Sequence, residues 1–177
     1  MHTYFPMLWV WHRLDGERWK YSSIPLRTGQ KRAHKLEVDH TVADAWWGRL
    51  VDKEIAIKMA AFAGSEQERA SIAPDDFESR SEAIAFINML GNCSLLDKSF
   101  NISKSDSPLW EFLQQVHEFV VGEIKRSEWE SALLLPEALT SPDALSLKEI
   151  KDAVQLRDSL IRRDLVDFIA GNRLRVD

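Results

Sequence analysis

Three stretches of this chain place apolar side chains three and four residues apart, a spacing that commits most of its length to amphipathic helices. Trp47, Leu50, Val51, Ile55, Met59 and Phe62 form such a stripe between Asp44 and Ala63, and Gly64 follows as a stop. Leu109, Phe112, Leu113, Val116, Val120 and Ile124 form a second, opened by Ser107-Pro108 with proline at a first-turn position. Ile150, Val154, Ile161, Leu165, Phe168 and Ile169 form a third; Ser146 and Glu149 have the spacing of a capping box, and Gly171 marks the end. Shorter helices are expected over Ser81 to Leu90, closed by Gly91, and early in Glu66 to Phe77, where Pro74 imposes a loop.

Two segments break this pattern. Lys35-Leu36-Glu37-Val38-Asp39-His40 alternates polar with apolar, the period of a half-buried strand, and Cys93-Ser94-Leu95-Leu96 reads as a second short strand. The expected fold class is α+β and predominantly helical, with a small two-strand core embedded in helices. With 177 residues, one core of ordinary size is expected. Residues 1–35 are expected to form an N-terminal apolar segment and basic arm, residues 36–126 the core with a helical insert over 44–90, and residues 127–177 a helical extension packed on it. Trp9, Trp11, Trp46, Trp47, Trp110 and Trp129 lie in apolar contexts and are expected in the core, while Trp19 adjoins the basic arm. The single cysteine, Cys93, excludes an internal disulfide and fits a reducing, cytoplasmic setting as a buried thiol. The apolar stretch from Tyr4 to Trp11 lacks a basic leader and a spanning length, so no membrane association is expected.

Charge is unevenly distributed. The chain carries 23 Lys and Arg against 28 Asp and Glu, a net charge of -5 that globally argues against a nucleic-acid partner. Yet the stretch from Arg18 to Lys35 holds six basic side chains and no acidic one, and it runs directly into Asp39-His40. Arg27, Lys31, Arg32 and Lys35 are therefore candidates for contact with a nucleic-acid backbone, as are Lys98 and Lys104 further along. Arg157, Arg162 and Arg163 are expected to pair with nearby acids on the last helix.

Asp39-His40 ends the first strand. A carboxylate beside an imidazole can hold a divalent cation with one side chain and deprotonate a water with the other. By itself the dipeptide is more often a strand end whose histidine bonds locally. Further along, Gly91-Asn92 leads into the second strand, and Asn101 follows Asn92 by nine positions.

Together these positions resemble the ββα-metal motif of HNH (His-Me finger) nucleases: Asp-His at the end of one strand, Asn before the next, and a metal-binding Asn or His at the start of a helix. The resemblance is closer to the C-terminal nuclease domain of GmrSD-type (type IV, modification-related) restriction endonucleases. It rests on Val38-Asp39-His40, the helical segment from Asp44 to Met89, Leu90-Gly91-Asn92-Cys93-Ser94-Leu95-Leu96, Asn101, and Leu156-Arg157-Asp158-Ser159-Leu160-Ile161. Thr41-Val42-Ala43 departs from the Ile-x-Pro that often follows the histidine.

The resemblance implies a DNA endonuclease or nickase acting in phage defence or restriction. It implies His40 as general base, Asp39 and Asn101 as oxygen ligands of one Mg²⁺ (with Mn²⁺ as a substitute), and Asn92 as the side chain that bonds across the loop to fix the catalytic strand. No Gly-x-x-x-x-Gly-Lys-Ser/Thr segment occurs; the resemblance implies an NTP-using or sensor domain in the same or a partner chain. The alternative is a non-catalytic helical domain on a degenerate nuclease scaffold that binds DNA or a protein.

Overall fold

The computed structural model describes residues 3–22, 36–115, 126–140 and 146–171. Its helices are α1 (Phe5–Arg13), α2 (Gly16–Ser22), α3 (Asp44–Ala61), α4 (Glu66–Arg69), α5 (Arg80–Phe86), α6 (Lys98–Lys104), α7 (Leu109–Gln115), α8 (Arg126–Ala132) and α9 (Leu147–Ile169). Two strands, β1 (Leu36–His40) and β2 (Cys93–Asp97), pair antiparallel. The fold is thus predominantly helical α+β. Among the described residues no helix is long and apolar enough to cross a membrane.

Local chemistry accounts for the element ends. Ser146 and Glu149 close a reciprocal capping box at the start of α9, and Ser65 with Glu68 does the same for α4. The helix expected to run up to Gly91 instead stops at Phe86 and re-forms as one 3-10 turn, Leu90–Asn92, directly before β2.

All five residues of β2 are buried, and its side chains divide between two apolar clusters. Leu95 and Cys93 join Leu8, Trp11, Leu90 and Ile161, whereas Leu96 joins Phe100, Leu109, Phe112, Trp129 and Leu133. This is strand alternation with a core on both sides. A third cluster, built on Trp47, Val51, Ile87, Trp110, Ile150 and Val154, holds α3, α5 and α9 together. The second edge of β2 is covered by α1, where the Leu95 N–H donates to His12 Nε2 at 3.1 Å. A strand edge that would otherwise offer an open donor is thereby closed.

Two arginines bind the helices to this centre, and neither behaves as a surface cation. Arg157 on α9 is fully buried. Its Nη1 donates to the Gly91 and Cys93 carbonyls at 2.7 and 2.9 Å, its Nη2 to Ser94 Oγ at 2.8 Å, and its Nε to the Leu133 carbonyl at 3.0 Å. Burial lowers its pKa to about 10, which leaves it charged at neutral pH. The expected pairing with acids holds for Arg162, which binds Asp158, but Arg157 spends its donors on carbonyls and a hydroxyl. Arg18, counted above with the basic arm, is also buried; it donates to the Trp11 and Ala132 carbonyls, each at 2.9 Å, and reaches Asp164 at 3.5 Å. Trp11 is buried as expected, but Trp9 is 37% exposed on the outer side of α1.

Gly91 is where α9 comes closest to the strand unit. A Cβ there would run into the Val154 carbonyl oxygen and lie 2.6 Å from the Asp158 nitrogen, both backbone atoms. Gly91→Ala is therefore expected to cost about 3 kcal/mol, the upper range for overpacking, read as a lower denaturation midpoint. His12 sets a pH limit. Burial, reinforced by Arg157 and Arg18, holds its pKa well below 6.5. Its stability contribution is complete above pH 6.5, where the unfolded chain is also neutral, and falls as acidification protonates only the unfolded state. Below pH 6.5, wild type is expected to lose about 1.4 kcal/mol per pH unit more than His12→Gln in urea titrations.

Candidate active site

Register decides which side chains of β1 can meet. Asp39 stands opposite Ser94, Glu37 opposite Leu96, and His40 opposite Cys93. Because side chains alternate along a strand, Glu37 and Asp39 share the face that α6 covers. Leu36 and Val38 point the other way, into the cluster of Leu8, Trp11 and Cys93, and His40 falls in register with them.

On the α6 face, Asp39 and Lys104 form an ion pair of 3.3 Å, with side chains only 3% and 1% exposed. Burial raises the Asp39 carboxyl to about 6, against the opposing pull of the Lys104 charge and hydrogen bond. Lys104 also donates to the Ser107 carbonyl at 3.1 Å. One turn earlier on α6, Asn101 Nδ2 donates to Glu37 Oε2 at 3.3 Å, and Lys98 lies 4.0 Å from the same carboxylate with 44% of its side chain exposed. Asn101 was expected at a helix start but sits within α6, because Asp97 caps the helix by accepting from the Ser99 N–H at 2.8 Å.

Asn92 bridges the end of β1 to the turn before β2. Its Oδ1 accepts from the Val42 N–H at 2.8 Å, and its Nδ2 donates to the Val42 carbonyl at 3.0 Å and the Ile87 carbonyl at 2.9 Å. The Thr41 N–H adds a bond to the Asn92 carbonyl at 2.8 Å. A fully buried amide so used is a clamp on the two residues that follow His40. His40 itself is half-buried, with Nε2 enclosed.

The structure thus brings Asp39, Asn101, Lys98 and Lys104 to one face and adds Glu37, which the sequence reading did not single out. The strand alternation that marks Glu37 as a neighbour of Asp39 was already visible in Leu36-Glu37-Val38-Asp39. His40 belongs to the opposite register. Lys104 is corrected: expected to contact DNA, it is buried on Asp39 and presents no ammonium to solvent. Arg27, Lys31, Arg32 and Lys35 lie outside the described residues, as do His34 and His117. Cys93 is buried, and burial pushes its thiol up to about 12, so it is no nucleophile. An open depression of about 540 Å³ lined by Asp15, Glu17, Arg18 and Glu128, among others, shares no residue with this site.

The donors suit a hard divalent ion in kind: a carboxylate at Asp39, and at Asn101 an amide whose nitrogen is spent on Glu37, leaving its oxygen. The buried ammonium on Asp39 marks this as a place that takes positive charge. Among the described residues no three His, Cys, Asp or Glu side chains are gathered to hold an ion, so an ion on this face would need the Asn101 amide as a ligand. Comparison with protein-family models, curated protein sequences and solved structures returned no match.

Asn92→Ala leaves the Val42 N–H and the Val42 and Ile87 carbonyls without their side-chain partner. The expected loss is about 2–4 kcal/mol, from unsatisfied buried groups. Amide exchange at Thr41 and Val42 should accelerate more than exchange in α9.

Proposed function

We propose that the β1–β2–α6 unit is the active site of a metal-dependent phosphodiesterase that cuts or nicks DNA by an HNH mechanism, in phage defence or restriction. The observation that carries this reading is the placement of Asp39 and Asn101 on one face by a strand and the helix that follows, with Asn92 clamping the strand end. That arrangement accords with the roles implied by the resemblance for Asp39, Asn101 and Asn92, whereas His40, in the opposite register of β1, is not on the face they form.

Asp39 and the Asn101 oxygen would hold Mg²⁺, with Mn²⁺ as a substitute. A bound ion of this kind neutralises charge on a scissile phosphate and on its leaving oxygen. Asn92 fixes where the chain leaves His40. His40 would be the general base that takes a proton from the attacking water. Lys98, exposed beside Glu37, offers a phosphate contact. On a chain of net charge -5, tight DNA binding would draw on an attached NTP-using or sensor domain.

Two observations favour the second reading, a non-catalytic domain that binds DNA or a protein on a degenerate nuclease scaffold: the register that turns His40 from the Asp39 face, and the partner Asp39 already has. The Asp39 carboxylate already has a buried lysine as its counter-ion. Supercoiled-plasmid nicking separates the two. The catalytic reading expects nicking with Mg²⁺ or Mn²⁺ and a loss of about 10²-fold or more in His40→Ala and in Asn101→Ala. Full activity in both variants overturns it; DNA retention without nicking in wild type selects the second reading.

A further inference from the structure

We propose that Lys104 is a built-in occupant of the cation site: its ammonium holds Asp39 in the metal-free protein, and a divalent ion binds only by displacing it. The inference deepens the metal site proposed above and rests on that reading.

Three features argue for exchange, not coexistence. The ammonium and the carboxylate are 3.3 Å apart and both almost wholly removed from water, so a second cation on Asp39 would face Lys104 at close range without solvent screening. Lys104 is also anchored at its far side by the Ser107 carbonyl, which directs the ammonium toward Asp39 instead of outward. Finally, Asn101 and Lys104 lie three residues apart on the same short helix and reach Glu37 and Asp39, which lie two apart on the same strand face. Glu37 occupies the amide nitrogen of Asn101 and leaves its oxygen for a ligand; Lys104 occupies the carboxylate that would join it. Of the two protein ligands, one is therefore prepared and the other is blocked.

Displacement has a structural cost. Lys104 is the last residue of α6, and Ser105 after it has a φ of 49°, a left-handed conformation that a serine seldom adopts. The side chain and this turn form one closed unit through the Lys104 to Ser107 bonds. Moving the ammonium off Asp39 also disturbs its bond to the Ser107 carbonyl, and with it this turn.

The test uses the full chain and Mn²⁺ or Mg²⁺ alone. In wild type, Lys104 should resist acetylation by a water-soluble amine reagent without metal, and become reactive at saturating Mg²⁺ while Lys98 reacts in both states, as read by mass spectrometry. Calorimetric titration with Mn²⁺ should show at least tenfold tighter binding to Lys104→Met and Lys104→Gln than to wild type, abolished when Asp39→Asn is added. Continued protection of Lys104 at saturating metal, or Mn²⁺ binding to the folded Lys104 variants no tighter than wild type, overturns the proposal. A protein that exchanges Lys104 for metal yet cuts no DNA would overturn the nuclease reading alone. Nicking with Lys104 still protected would overturn the exchange alone.

Discussion

The guanidinium of Arg157 is the interaction on which the other elements depend. Burying a cation without a carboxylate against it is costly, and the cost is offset only because each of its nitrogens has an acceptor: the carbonyls of Gly91, Cys93 and Leu133, and the Ser94 hydroxyl. Those acceptors belong to the turn before β2, to β2 itself, and to the segment after α8. One side chain on α9 thus sets the position of the central strand from outside it. The approach needed for these bonds brings the backbone of α9 against Gly91, where no Cβ fits.

The candidate site inherits its placement from that arrangement. Arg157 and Gly91 position the turn, Asn92 in the turn clamps Val42, and Val42 lies two residues past His40. Pairing with β2 then sends alternate side chains of β1 to two different cores, each already filled with apolar groups. Glu37 and Asp39 emerge on the α6 side, where burial raises the Asp39 carboxyl to about 6 even with Lys104 beside it. The strand therefore presents its acids to one helix and its last histidine to the opposite register.

Much of this was legible in the sequence. The helical stripes are buried at Trp47, Val51, Ile150, Val154 and Ile161, although Met59, Phe168 and Ile169 toward their ends are exposed; the Ser146–Glu149 capping box forms, and the two alternating segments pair. These are local properties: periodicity, capping and strand alternation act over a few residues and do not depend on what lies across the core. The fates of the cations were not legible. Arg18, Lys104 and Arg157 look in the sequence like any solvated basic residue, and only chain segments brought from far away supply the acceptors that let them be buried.

Asp39 and Asn101 could be singled out from the chain through its resemblance to the ββα-metal motif, but their immediate partners could not. Glu37 meets Asn101, and Lys104 meets Asp39, because β1 and α6 pack face to face in one register. The sequence by itself determined the long helices α3 and α9, the two strands and the alternation that separates Asp39 from His40, since these follow from short-range sterics and polarity. The tertiary structure decided which charges are buried, and against what, because the free energy of a buried charge depends on partners that folding brings from distant parts of the chain.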